Sequence, residues 1–219
     1  MASSDDAGVL KVAHGSADRV DVLREQRGYD IAAIALSPDG RLLAVSAVHE
    51  RGVDWRIRIW DVVDGEIVET LPTAANDLVF THDGTRLITA HPGARATVWD
   101  VASWAPVSEF RGHSGPLYAV AVTADGATVA TSGTSGTILL WDPSTGLERL
   151  TLASRGRGVP NLAFSPDGTR LASADVDGNL RIWALELDDL IAIARSELTR
   201  ALTDAECRQY LHLDACPSP

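Results

Sequence analysis

Few side chains in this 219-residue sequence have chemistry to offer. Three of the six histidines, His49, His91 and His113, could in principle converge on a transition metal. Their separations match none of the usual ligand spacings, so no metal site is expected. Cys207 and Cys216, the only two cysteines, flank Tyr210 and His212. A metal pair or a redox switch would need such a grouping, but in a reducing compartment two packed thiols are the simpler outcome. Asp39, Asp83, Asp125 and Asp167 recur at regular intervals, and converging carboxylates can do acid–base work. Each, however, sits beside Gly in a tetrapeptide that reads as a tight turn, where Asp is favoured for its local hydrogen bonds. No Gly-rich phosphate loop follows a strand and opens a helix. With no nucleophile, acid and base gathered in one place, no enzyme activity and no cofactor are expected.

The elements that carry these residues repeat. The tetrapeptides Ser37–Gly40, Thr81–Gly84, Thr123–Gly126 and Ser165–Gly168 place their glycines 44, 42 and 42 residues apart. A second marker keeps step: Trp60-Asp61, Trp99-Asp100, Trp141-Asp142, and Trp183 with Ala184 in place of Asp. The Gly-to-Trp distance is 15 in repeats two to four and 20 in repeat one. A fixed period of this size is the signature of an array built from one supersecondary unit. Within a unit, alternating runs such as Asn161–Ser165, Leu171–Ala174, Asn179–Trp183 and Ile67–Leu71 are separated by turn residues and read as four short strands.

These markers resemble the WD-repeat family of β-propellers over about residues 28–187. The resemblance implies an all-β WD-repeat β-propeller of four full or nearly full blades, each tryptophan a buried anchor and each following Asp a cap of the c–d turn. It also implies a buried Asp-His-Ser/Thr-Trp hydrogen-bond network, which this sequence keeps poorly. Only repeat three has the Gly-His pair, Gly112-His113, and there Ser135 replaces the turn Asp; repeat four keeps Asp177 without the His. Trp60, Trp99, Trp141, Trp183, His113 and Asp177 are therefore the expected structural anchors, with blade stability resting mainly on apolar packing.

The ends differ. Residues 1–27 contain Gly8–Val12 and Arg19–Leu23, the c and d strands of an N-terminal half-blade. Residues 188–219 carry an apolar stripe through Leu190, Ile191, Ile193, Ala194, Leu198 and Leu202, behind two acids that suit a helix N-terminus. Thr203–Glu206 is a capping-box pattern for a second short helix. This predicted α-helical C-terminal tail resembles the one ending many bacterial WD-repeat proteins, often regulators that join a kinase or signalling NTPase to a propeller. Lys11 as the only lysine among 19 basic residues fits a GC-rich bacterial genome.

Three arrangements are open: a small closed ring, a half-ring that dimerises to complete a propeller, or a fragment of a longer array. Exposed sheet edges favour the latter two. The net charge of −11 argues against a nucleic-acid partner, no apolar run spans a bilayer, and the acidic N-terminus lacks a signal-peptide pattern. A cytoplasmic protein with no membrane association is expected.

The feature closest to a binding site is a five-residue insertion in repeat one, which falls within the segment Val48–Trp55, read as an extended b–c loop. With it on one rim go Arg51 and the arginines of the d–a connections, Arg24, Arg27, Arg111, Arg155 and Arg157. Trp and Arg are enriched where interfaces concentrate their energy. The leading expectation is a non-enzymatic protein–protein interaction scaffold using this rim, with a protein partner. The alternative is a detached regulatory or sensor module of a bacterial signalling kinase or NTPase.

Overall fold

Short aliphatic and β-branched runs, each cut off by a Gly- or Asp-containing turn, leave no strand longer than eight residues among the described ones. The computed structural model describes residues 2–4, 9–13, 20–24, 29–49, 55–153 and 157–186, with the backbone alone for 2–4, 9–13, 20–24, 29 and 48–49. The chain divides into two compact units, Met1–Trp183 and Ala184–Pro219. The helical tail, with Cys207 and Cys216, lies outside the described residues, as do Arg27, Arg51 and Arg155.

Every sheet is an antiparallel meander. The N-terminal sheet is β1 (Ala2–Ser4), β2 (Val9–Ala13) and β3 (Val20–Arg24), in that order, with Val9 opposite Arg24. The first blade is β4 (Tyr29–Leu36), β5 (Leu42–His49), β6 (Trp55–Asp61) and β7 (Glu66–Leu71). The second is β8 (Asp77–Phe80), β9 (Arg86–Ala90), β10 (Arg95–Asp100) and β11 (Pro106–Arg111). The third is β12 (Leu117–Val122), β13 (Val129–Gly133), β14 (Thr137–Trp141) and β15 (Glu148–Ala153). The fourth holds three strands, β16 (Asn161–Phe164), β17 (Arg170–Ala174) and β18 (Leu180–Ala184). These are the a, b, c and d strands of each repeat, the fourth repeat lacking d among the described residues.

The a strands make the joints: β4 lies against β8, β8 against β12 and β12 against β16, while β1 touches β4. Packed between the first and second blades are Ile57, Ile59, Leu78, Phe80 and Leu87, with Trp99 against them. Between the second and third are Ala96, Val98, Phe110, Leu117, Val120, Leu139 and Trp141. Phe110 and Trp141 stack with ring centroids 5.3 Å apart, a favourable offset arrangement. Each of the first three c strands shifts register against its d strand immediately before the tryptophan, at Ile59/Trp60, Val98/Trp99 and Leu140/Trp141. Such a bulge re-aims a side chain: Trp99 and Trp141 pack against the preceding blade, and Trp60 against Leu43 and Val45 of its own.

The insertion in repeat one corrects the sequence reading. Trp55 is not in a loop: it opens β6 and pairs with Val48 on β5. The Val48–Trp55 pair continues the β5–β6 ladder one step beyond Ala47 and Arg56, so the hairpin strands are longer here than in the other blades.

Candidate functional site

Built upward from the repeat markers, the side-chain network is fuller than expected. In three blades the indole N–H of the anchor donates to a hydroxyl ten residues upstream: Trp99 to Thr89 (2.9 Å), Trp141 to Thr131 (2.8 Å) and Trp183 to Ser173 (2.9 Å). Register explains the spacing. Each of Trp99 and Trp141 faces a residue on the b strand, Leu87 and Val129, and the hydroxyl stands two residues further along the same sheet face. In the first blade Trp60 faces Leu43, so the equivalent residue is Val45, which has no hydroxyl. The Trp60 indole N–H is accordingly buried without a partner.

Imidazoles extend two of these pairs. His113 Nε2 hydrogen-bonds the Thr131 hydroxyl at 2.9 Å, while its Nδ1 is buried and unpartnered. Burial lowers the His113 pKa to about 4. In the second blade the imidazole comes from a different place: His91, in the b–c turn, reaches the hydroxyls of Thr89 and Thr97, both at 3.0 Å. Its Nδ1 meets the Ala74 carbonyl at 2.5 Å. A carbonyl only accepts, so Nδ1 carries the proton and Nε2 is left to accept from the hydroxyls. Burial holds His91 below the ordinary imidazole range too. In the fourth blade the carboxylate buried in the b–c turn is Asp175, two residues before Asp177. Its side chain is 1% exposed and accepts from the Asn179 amides and from Arg181 at 2.7 Å. The Arg181 hydrogen bond is the first cause holding Asp175 at about 2. Asp177 accepts from the Arg157 backbone N–H at 3.2 Å.

The four recurring aspartates do not converge. Ser37, Thr81, Thr123 and Ser165 each donate a hydroxyl to the Asp two residues on, at 2.5–2.6 Å. Each carboxylate also takes a backbone N–H from Arg41, Thr85, Ala127 or Thr169. The side-chain hydrogen bond, first among these, holds all four below the usual carboxylate range. The glycine that ends each turn has φ between 69° and 73°, a conformation costly for any residue with a Cβ. The c–d aspartates cap in the same way: Asp61 accepts from Val63 and Asp64, Asp100 from Ser103, and Asp142 from Ser144. Among the described residues no group of three His, Cys, Asp or Glu could hold a metal. No helix among them is long and apolar enough to cross a membrane.

The rim on the b–c and d–a side carries a groove of about 440 Å³ between the first and second blades, lined by Trp55, Thr73, Ala74, His91, Arg95 and Arg111 among others. Trp55 is 43% exposed there. Arg95 and Arg111 both pair with Glu109, at 3.2 and 2.7 Å, leaving one net positive charge on a protein of net charge −11. Burial opposes ionisation of Glu109, but the Arg111 hydrogen bond and the two guanidinium charges outweigh it and lower its pKa. Two residues from the sequence reading, Trp55 and Arg111, thus share one groove, and Arg95 and the Pro92-Gly93 turn join them. Arg157 is exposed in the d–a connection before the fourth blade, away from this groove. Of Arg24 only the backbone, ending β3, is described.

A family model for the WD domain, G-beta repeat, matches residues 17–61, 104–142 and 149–184. It skips the second repeat, whose sheet is nevertheless complete. Human apoptotic protease-activating factor 1 is 27% identical over 194 residues, covering 84% of this chain and 15% of that protein. Autophagy-related protein 16 from Arabidopsis thaliana is 24% identical, over 78% of this chain and 34% of that protein. The rice small ribosomal subunit protein RACK1y is 37% identical over 89 residues, 41% of this chain and 26% of that protein. The chain thus spans about a third or less of these relatives. A chain in the crystal structure of the mitotic checkpoint complex superposes with a TM-score of 0.70 at 18% identity, covering 84% of this chain and 62% of that one. Four-stranded sheets in series, a tryptophan closing each c strand and the matching family model lead to one assignment: the chain belongs to the WD-repeat family and is built of β-propeller blades.

Proposed function

We propose that this chain is a non-enzymatic protein-interaction module and that it takes an acidic segment of its partner in the groove between the first and second blades. The observation that carries this reading is the meeting of a half-exposed tryptophan with two arginines that share one carboxylate. Burying the indole supplies apolar energy, and an incoming carboxylate can take the guanidinium face that Glu109 leaves. A cytoplasmic location fits this reading.

Quantitative affinity capture with the intact chain tests it. Trp55→Ala and Arg111→Glu should each remove most of the captured partner while leaving the circular dichroism unchanged. A control at His82, on the opposite turns, should retain it. Capture indifferent to both rim variants would overturn the assignment. The alternative, a regulatory module of a bacterial signalling kinase or NTPase, draws on the resemblance of the C-terminal tail and names a class of partner for the same surface.

A further inference from the structure

Six aspartates in the chain are followed directly by glycine: Asp39, Asp64, Asp83, Asp125, Asp167 and Asp177. An Asp-Gly bond can rearrange without an enzyme. The glycine nitrogen attacks the side-chain carbon Cγ, a bond from nitrogen to Cγ forms, and the carboxyl OH leaves with the nitrogen's proton as water. The five-membered succinimide then takes up a water at the α-carbonyl carbon, whose bond to nitrogen breaks. The main chain now runs through the β-carboxyl, as isoaspartate, and the α-carboxylate is free. Glycine favours the reaction because no Cβ crowds its nitrogen.

The backbone treats all six sites alike. Each glycine has a φ between 69° and 84°, and each glycine N–H donates to the carbonyl three or four residues back, at 2.9–3.1 Å. The side chains differ. Asp39, Asp83, Asp125 and Asp167 are each pinned by a hydroxyl and by the backbone N–H two residues on. Those bonds also keep them ionised, and a carboxylate has no OH to lose. Asp177 accepts the Arg157 N–H. Asp64 is exposed, and its carboxyl takes no hydrogen bond from any described residue. In its turn the capping is done by Asp61, which accepts from Val63 and Asp64 N–H and from Arg41.

We propose that Asp64 is a site of spontaneous isomerisation to isoaspartate, and that the fold selects it over the other five Asp-Gly sites. The product puts an extra methylene into the turn between β6 and β7, next to the Glu66–Asp61 pair. It also creates a substrate for an enzyme that methylates the α-carboxyl of L-isoaspartate. The turn lies at the opposite end of β6 from Trp55, so the change is separate from the rim groove.

Ageing the intact chain at mildly acidic pH, then digesting it, tests the proposal. Isoaspartate is counted in each peptide by methyl transfer from S-adenosylmethionine and located by mass spectrometry. Asp64 should exceed each of the four pinned aspartates at least about tenfold, the factor set by breaking one hydrogen bond to a charged group before the ring closes. Asp64→Glu, which would need a slower six-membered ring, should remove that signal while the circular dichroism stays the same. Val63-Asp64-Gly65 and Val176-Asp177-Gly178 have the same flanking residues, so in urea these two sites should react equally. Equal yields at all six sites in the folded chain, a larger yield at a pinned aspartate, or a preference for Asp64 over Asp177 that persists in urea would overturn it.

Discussion

Single positions in the repeat can be read against their equivalents in the other blades, and the misfits predict measurable energies. Val45 stands where Thr89, Thr131 and Ser173 accept an indole hydrogen bond, leaving the Trp60 N–H unpartnered. Val45→Thr should therefore stabilise the chain by about 1 kcal/mol, the net worth of one buried hydrogen bond, read as a higher midpoint in urea. Ala94 adopts φ 59°, five residues before Trp99, where Gly136 and Gly178 occupy the matching places in the next two blades at φ 73° and 84°. Ala94→Gly should relieve about 1–2 kcal/mol of backbone strain against about 0.5–1 kcal/mol of lost chain entropy, a small net gain. Gly112 works in reverse: a Cβ there would come within 2.7 Å of the Trp141 ring, so Gly112→Ala should lower the melting temperature. The histidines set the pH response. Both are held neutral in the fold, with pKa values below the ordinary 6.5. Their contribution is thus complete above pH 6.5 and drains away as pH falls toward about 4, where His113 itself protonates. Urea midpoints measured across that window should fall. The fall should shrink in a His113→Gln variant, in which one of the two titrating groups is gone.

At the scale of elements, the strands were legible because they obey a period of two between turn residues, and the turns because Asp and Gly recur at fixed distances. The ten-residue spacing from hydroxyl to tryptophan is equally present in the sequence, but the Gly-His pair by itself does not reveal the hydroxyl–indole bonds that it supports. His91 shows why that pair is not required: a b–c turn can deliver an imidazole to the same Thr89 hydroxyl from the other side. Insertions usually fall in loops, yet Trp55 opens a strand. Its pairing with Val48 depended on whether the added residues could extend a ladder, which composition alone does not decide. The groove itself was half legible. Trp55 and Arg111 stood out by type, but Arg95 enters only because β10 begins beside the end of β11, with Arg95 opposite Arg111 across the ladder. Arg95→Ala should weaken partner capture about as much as Arg111→Ala, since each leaves Glu109 with a single cation.

For the whole molecule, the same few contacts are used over and over, so each blade depends on its neighbours for apolar burial. The c-strand residues Ile57, Ile59, Ala96, Val98 and Ile138 of the first three blades are fully buried, whereas Leu180 and Ile182 of the fourth are exposed. Among the described residues the recurring turn carboxylates and the buried imidazoles are held in hydrogen bonds that shape the blades. What the fold leaves available is surface, and the positive groove between the first and second blades stands out on an acidic protein. The most direct measurement is the dissociation constant of a captured partner between roughly 50 and 300 mM salt, a range over which surface charges become strongly screened, for the wild type and for Arg95→Ala/Arg111→Ala. An acidic segment seated in the groove requires wild-type affinity to weaken steadily with salt, and the double variant to bind more weakly with little salt dependence. Equal affinities and equal salt slopes for the two proteins would contradict it.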